Sequence, residues 1–581
     1  LMQLSKEPHG IAGLPASENP ELPVCPHCGK VLVDKDGNFL EPNHECFADP
    51  NQAEKDAMLT KLVKEGKKTK EARIAVESKF GGNSNENLKK WKAAASEVYR
   101  ERTRLVSLRL SLRNTLDNVC NIIRSDDRFY FVYQTDFRGR LYPLGILNPQ
   151  GTDWQKGLLE FADGVALGET GAKWLAIHLA NCWANDGIDK KSYADRVQWV
   201  HDNERFILAC AAHPLDCLDW TKADSPFCFL AACFEWEGYK KEGNAYKSHV
   251  AVALDGSCSG IQHYSAMLRD EVGAIATNVK CLDPTKGKHD IYGEVAAATT
   301  KLMTQDVADA KVGGMATFIL AKKLINRDVV KRAVMTLPYG SKYLSCNHYV
   351  TVKLTPKLTE CGITDKKVIK DFCDYAATTV WHAIPTVVHA ARQGMDYLQK
   401  LARLFAHIKM PITWTTPTGF IVQQSYYSVI GKVVRLITGG SIVLKNDIPI
   451  LNTETSTLSF QRPNTREIDP ARQVSGIAPN FIHSLDASHL MFSVKAATEQ
   501  GINNFALIHD SLGVHAGLTE KFSVILRDCF YHLYNDNDPL QDLTTHLVNQ
   551  LPEDLQEDVP ELPCKGALDI SNILSAIYLF A

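Results

Sequence analysis

The sequence predicts an α+β chain, predominantly helical around a small sheet, and three features lead there. Two apolar runs, residues 249–254 and 505–508, read as strands leading to Asp255 and Asp510. Between them, residues 284–400 carry a largely helical pattern. The stretch from Trp414 to about Phe460 is β-rich, with Thr418-Gly419 and Gly439-Gly440 as turn signals. At 581 residues the chain exceeds one ordinary hydrophobic core, so several domains or subdomains are expected.

The N-terminal elements follow from local chemistry. Residues 1–24, bearing Pro, Glu and Ser, read as an extended lead-in. Residues 25–46 hold a Cys/His cluster around a turn at Asp36-Gly37, and residues 50–80 are Lys-rich and helical in pattern. Gly81 to Asn85 breaks the chain before a second helix, roughly 86–118. Its Lys89, Lys90, Lys92, Arg100, Arg102, Arg104, Arg109 and Arg113 make either a solvated basic face or a contact with nucleic-acid backbone. Phe129–Tyr133 reads as a buried strand leading into Asp136-Phe137-Arg138-Gly139-Arg140.

Composition narrows the class. The chain is 45% hydrophobic and 23% charged, ordinary for a globular enzyme. A net charge of −3 and a pI near 6.7 give no global basic field, so nucleic-acid contacts would have to be gathered in a cleft. No run reaches the apolar length of a membrane span, residues 1–30 lack a signal-peptide core, and no membrane partner is expected. Sixteen scattered cysteines point to a reducing, cytoplasmic setting. The chain begins at Leu1 rather than an initiator Met, as a fragment, a processed product or half of a split protein does.

Three segments carry chemistry. Asp255 closes a strand and is followed by the small-residue turn Gly256-Ser257-Cys258-Ser259-Gly260 into a helix, Ile261–Leu268. Taken alone, an Asp there more often caps the following helix. His509-Asp510-Ser511 lies between apolar runs and reads as a hairpin tip. Two such carboxylates on one sheet can chelate two hard cations, which sit roughly 3.5–4 Å apart in two-metal sites. Between them, Asn326 caps a helix Arg327–Leu337 whose Arg327, Lys331 and Met335 share one face, with Pro338 and Tyr339-Gly340 at its exit. Fixed positive charge of this kind suits a departing pyrophosphate. Each segment alone also has a bland reading, but their order fits template-directed nucleotidyl transfer.

Longer strings carry a resemblance. Asp255-Gly256-Ser257-Cys258-Ser259-Gly260-Ile261-Gln262-His263, the run Lys331 to Gly340, and His509-Asp510-Ser511 resemble motifs A, B and C of phage-type (bacteriophage and mitochondrial) single-subunit DNA-directed RNA polymerases. Asp136 to Tyr142, Asn148 to Gly151, Ala478 to Ser484 and the terminal Leu579-Phe580-Ala581 match further stretches, so the likeness runs from about residue 85 to the end.

The resemblance implies a right-hand fold with thumb, palm and fingers. Residues 1–128 would be thumb with a zinc-binding insertion at 25–46, and 129–283 the first palm segment. Residues 284–482 would be fingers with a specificity hairpin at about 432–466, and 483–581 the second palm segment and C-terminal foot. It implies that Asp255, Asp510 and the Gly256 carbonyl hold two Mg²⁺ ions. Arg327, Lys331 and Lys190 would contact the triphosphate, with Lys331 also protonating pyrophosphate. Tyr339 and His483 would favour ribose, and Arg140 and Lys156 would lie near the template and hybrid. Expected partners are promoter DNA, DNA template, nascent RNA and ribonucleoside triphosphates, in the cytoplasm of an infected host cell. Related DNA polymerases place a glutamate five residues after the first Asp; here that position is Gly260, which opens the gate to a 2′-hydroxyl. In the hairpin, Arg435, Lys445, Asn446, Asn452, Gln461, Arg462 and Asn464 suit base edges.

Two departures stand out. The family's large N-terminal domain is absent, which implies a truncated sequence or a separate N-terminal polypeptide. Cys25-Pro26-His27-Cys28-Gly29 followed by His44-Glu45-Cys46 is an addition, and Cys25, Cys28, His44 and Cys46 form a candidate structural Zn²⁺ set. The alternatives are a DNA polymerase or primase of the same class, or a nucleic-acid-binding module without turnover.

Overall fold

The computed structural model describes residues 1, 3–32, 45–80, 83–125, 128–445 and 448–581. The chain divides into two compact units, Leu1–Phe129 and Tyr130–Ala581. No helix among the described residues is long and apolar enough to cross a membrane.

The N-terminal unit is helical. The Lys-rich 50–80 stretch, expected as one helical region, forms two helices, Gln52–Lys64 and Thr69–Phe80, because Gly66 takes a left-handed φ of 88° and ends the first. The basic helix runs from Glu86 to Ser125, further than expected. The Asn85 side chain opens it by accepting from the Asn87 and Leu88 amides. Part of its charge is used internally. Arg109 donates to the Ala16 and Glu18 carbonyls and to Asn19, Arg104 pairs with Glu101, and Lys89 pairs with Glu86. A small core of Cys25, Phe47, Leu88, Trp91 and Ala95 holds the start of this helix.

The second unit is the α+β body. Its central feature is a three-stranded antiparallel sheet in the order Ala506–Ile508, Ser511–His515, Ala251–Asp255. Val252, Leu254, Leu512 and Val514 are buried, and helices pack around them. The 284–400 region is helical as patterned: Ile291–Asp306, Gly313–Ala321, Arg327–Thr336, Tyr343–Glu360, Lys366–Val387 and His389–His407. The β-rich region forms a short hairpin, Ile412–Thr415 with Ile421–Gln424, and a long one, Tyr427–Lys445 with Ile448–Ile468.

Two strand-level expectations need correction. Phe129–Tyr133 is not a buried strand: the strand is Tyr133–Thr135, Tyr130 is 80% exposed and Val132 64%. Its partner Leu141–Pro143 reaches Tyr133 at Pro143, which has no N–H to extend the ladder. Gly439-Gly440 is not a turn but lies within the long hairpin beside a register shift, where glycine relieves a bulge. Thr418-Gly419 does turn, with Gly419 at φ 83°.

Candidate active site

The sheet brings the two aspartates to one end. The pairs Leu507 with Leu512 and Ile508 with Ser511 leave His509-Asp510 as a two-residue tip. Ser511 then pairs with Asp255 on the neighbouring strand, and the Gly256 amide donates to the Asp510 carbonyl at 3.0 Å. Asp255 is therefore the last residue of its strand. It does not cap the next helix, Ser259–Met267, whose N-cap is Cys258 at φ 65° with no side-chain cap bond.

The electrostatics fit a hard divalent cation. Asp255 is exposed at the end of its strand; desolvation by the surrounding protein, and then the charge of Asp510, push its carboxyl up to about 6, against the opposing pull of Lys288, Lys190 and Lys156. Neither carboxylate is used in a salt bridge among the described residues. Two like charges held together without a cationic partner in contact are a ready donor set for Mg²⁺, and the backbone carbonyl of Gly256 adds an oxygen of the right hardness.

A cavity of about 350 Å³ opens beside Asp255, lined among others by Lys156, Asp189, Lys190, Lys288 and the terminal Ala581. Lys190 pairs with Asp189 at 2.6 Å. The segment Leu579–Ala581 is built into this wall. The Ala581 amide donates to the Asp255 carbonyl at 3.0 Å, Gly256 bridges to Phe580, and the Gln262 amide donates to the Leu579 carbonyl.

The profile of the DNA-dependent RNA polymerase family matches residues 165–559. The chain belongs to this family. It is 37% identical over 532 residues to the DNA-directed RNA polymerase of Enterobacteria phage T3, covering 85% of this chain and 58% of that protein. Against T7 RNA polymerase of Escherichia phage T7 it is 36% identical over 534 residues, again 85% and 58%. Against the mitochondrial DNA-directed RNA polymerase 1 of Nicotiana sylvestris it is 34% identical over 502 residues, 85% and 47%. The chain thus spans about half the length of these relatives.

In this polymerase-family chain the remaining expected residues lie outside the lining of the Asp255 cavity. Asn326 caps the helix Arg327–Thr336 by accepting from the Val329 amide, and Val329, Val330, Ala333 and Val334 bury the opposite face. Lys331 is exposed. Arg327 is held by Asp290 at 2.9 Å, with its guanidinium over the Tyr292 ring. Tyr339 packs against His483 with ring centroids 4.8 Å apart. Arg138 donates to His483 Nδ1 at 2.8 Å, and because Arg only donates, the neutral ring carries its proton on Nε2. Burial, then Arg140 and Arg138, push this imidazole down to about 2. Arg140 forks onto both oxygens of buried Asp486.

Sequence reasoning missed several of these partners. Lys288 is half-buried, donates to the Ala581 carbonyl at 2.9 Å, and is pushed down to about 7 by desolvation and by Lys190 and Arg196. The only signal is Gly287 between two lysines. At φ 82° its absent Cβ lets the Lys190 carbonyl approach to 2.3 Å of where a Cβ would stand. Asp486, Arg138 and Asp290 belong to the same class, polar groups whose partners are remote in sequence. In the N-terminal unit the sulfurs of Cys25, Cys28 and Cys46 converge, while His44 lies outside the described residues. In the long hairpin Asn446 also lies outside the described residues, as do the side chains of Arg435, Lys445, Asn452 and Gln461. Arg462 is exposed, and Asn464 donates to Glu467 at 3.3 Å.

Proposed function

We propose that this chain is the polymerising part of a DNA-directed RNA polymerase, joining ribonucleoside triphosphates on a DNA template by a two-metal-ion reaction. The observation that carries the reading is the pairing of Ser511 with Asp255 and of the Gly256 amide with the Asp510 carbonyl, which sets both carboxylates at one sheet end. Mg²⁺ held by Asp255, Asp510 and the Gly256 carbonyl would supply a more acidic 3′-hydroxyl and charge neutralisation at the phosphates. The RNA 3′-oxygen attacks the α-phosphorus, a new P–O bond forms, and pyrophosphate leaves.

The chain's own residues orient and discharge this step. Lys331, Arg327 and Lys190 bind the triphosphate oxygens, and Lys331 gives a proton to the departing pyrophosphate. Tyr339 and the Nε2–H of His483 recognise the ribose 2′-hydroxyl, with Arg138 fixing the tautomer. Lys156 and Arg140 position template and hybrid. In this reading the sheet is the palm, 284–482 the fingers, 1–128 the thumb, and the long hairpin reads promoter DNA, in the cytoplasm of a phage-infected cell.

The test is extension of an RNA primer annealed to a DNA template, with ribo- or deoxyribonucleotides and with or without Mg²⁺. Magnesium-dependent extension confined to ribonucleotides is the expected result. A deoxyribonucleotide preference moves the chain to a DNA polymerase, and template binding with no turnover makes it a binding module.

A further inference from the structure

Away from the polymerising residues, the N-terminal unit builds a feature that nucleotidyl transfer does not use. Cys25-Pro26-His27-Cys28-Gly29 folds into a tight knuckle. The Gly29 amide donates to the Cys25 carbonyl at 2.9 Å, the Cys25 amide to the Lys30 carbonyl at 2.8 Å, and Val24 bridges Val31 in antiparallel fashion. Gly29 sits at φ 71°, a conformation glycine adopts without strain. A short helix, Glu45–Phe47, brings in Cys46. The three sulfurs lie within 4.8 Å of one another, and His27 Nδ1 is 3.3 Å from the Cys46 sulfur. None of the three cysteines is in a disulfide.

Plain packing does not explain this convergence. Cys25 is buried, but Cys28 is exposed and Cys46 only partly covered, so the sulfurs meet at the surface rather than in a core. A tetrahedral ion with Zn–S bonds of about 2.3 Å sets its sulfurs about 3.8 Å apart, inside the observed envelope. Thiolates are soft ligands, which separates such an ion from the Mg²⁺ expected at the carboxylates.

The surroundings supply a reason for a metal. The knuckle and the Cys46 segment rest on five buried side chains, Cys25, Phe47, Leu88, Trp91 and Ala95, with Phe47 and Trp91 centroids 5.9 Å apart. Asn83 and Asn85 add side-chain bonds to the Phe47 and Ala48 carbonyls. So small a core needs a staple.

We propose that Cys25, Cys28 and Cys46 hold a structural Zn²⁺ ion as three thiolates, pinning residues 24–31 and 45–47 to the start of the helix Glu86–Ser125. The inference is independent of the polymerase reading. The experiment measures zinc in the purified full chain by mass spectrometry of the metal, beside a Cys28→Ser chain. The expected result is one zinc per wild-type chain and a loss of at least tenfold in Cys28→Ser. Co²⁺ exchanged into the wild type should give an intense thiolate charge-transfer band, a readout that needs no variant to fold. Wild-type chain that holds no zinc after incubation with Zn²⁺ and gel filtration, or Cys28→Ser that keeps it, overturns the site.

Discussion

At single-residue scale, Lys288 ties the Asp255 cavity to Ala581. Half-buried, its ammonium donates to the Ala581 carbonyl and lines the same cavity as Asp255 and Lys190. Replacing it by Met keeps the bulk and removes the tether. Lys288→Met should lower primer extension about tenfold, roughly 1.4 kcal/mol of barrier. Deleting Ala581 should cost about as much, and the two changes together little more, since both loosen one contact. Additive losses in steady-state extension kinetics would separate the lysine from the C-terminus. Gly287 between two lysines is the one local sign of this contact, and it does not name the partner, because Ala581 lies far along the sequence. Asp255 and Asp510 were legible for the opposite reason: each ends an apolar run and is followed by small or polar residues, a pattern confined to a few positions.

Contacts between elements decide how Tyr339 is held. The helix Ser259–Met267 packs against the turn Leu337–Tyr339, and a Cβ at Gly260 would stand 3.0 Å from the Tyr339 hydroxyl and 3.1 Å from Pro338 Cβ. Gly260→Ala should therefore shift Tyr339 off His483. We expect the ratio of kcat/KM for ribo- over deoxyribonucleotides to fall about tenfold, or roughly 1.4 kcal/mol of discrimination. An unchanged ratio would mean that the ring accommodates the methyl without moving. The sequence pointed to Gly260 as an open gate, but its close approach to Tyr339 depends on how the two elements pack. Helices were legible from caps and breakers such as Asn326 and Pro338. Strands were less so: Phe129–Tyr133 is as apolar as a buried strand, yet has only a three-residue partner ending in proline.

For the whole molecule, burial of neutral histidines sets the response to acid. His178 and His489 are both pushed down to about 4 by burial from an ordinary 6.5. His489 donates to the Leu526 carbonyl and stacks on Phe580. The unfolded chain takes up these protons near 6.5 and the folded chain only near 4. Stability is therefore full above about 6.5 and is lost as pH falls toward 4, by at most about 3 kcal/mol per histidine. In urea unfolding, His489→Gln should show a shallower fall in midpoint between neutral pH and about pH 5 than the wild type. An identical slope would remove His489 from the account.

The long-range topology was legible only in outline, since two strand-end aspartates must meet for either to matter, but the register that joins them comes from the sheet. The most direct measurement of that meeting is a cycle of Asp255→Asn, Asp510→Asn and the double variant in Mg²⁺-dependent primer extension. Several kcal/mol of charge stabilisation shared by one site predicts a loss of about 10³-fold or more in each single variant, and no further loss in the double. A single variant with wild-type extension, or two losses that multiply in the double, would contradict one catalytic centre built by both carboxylates.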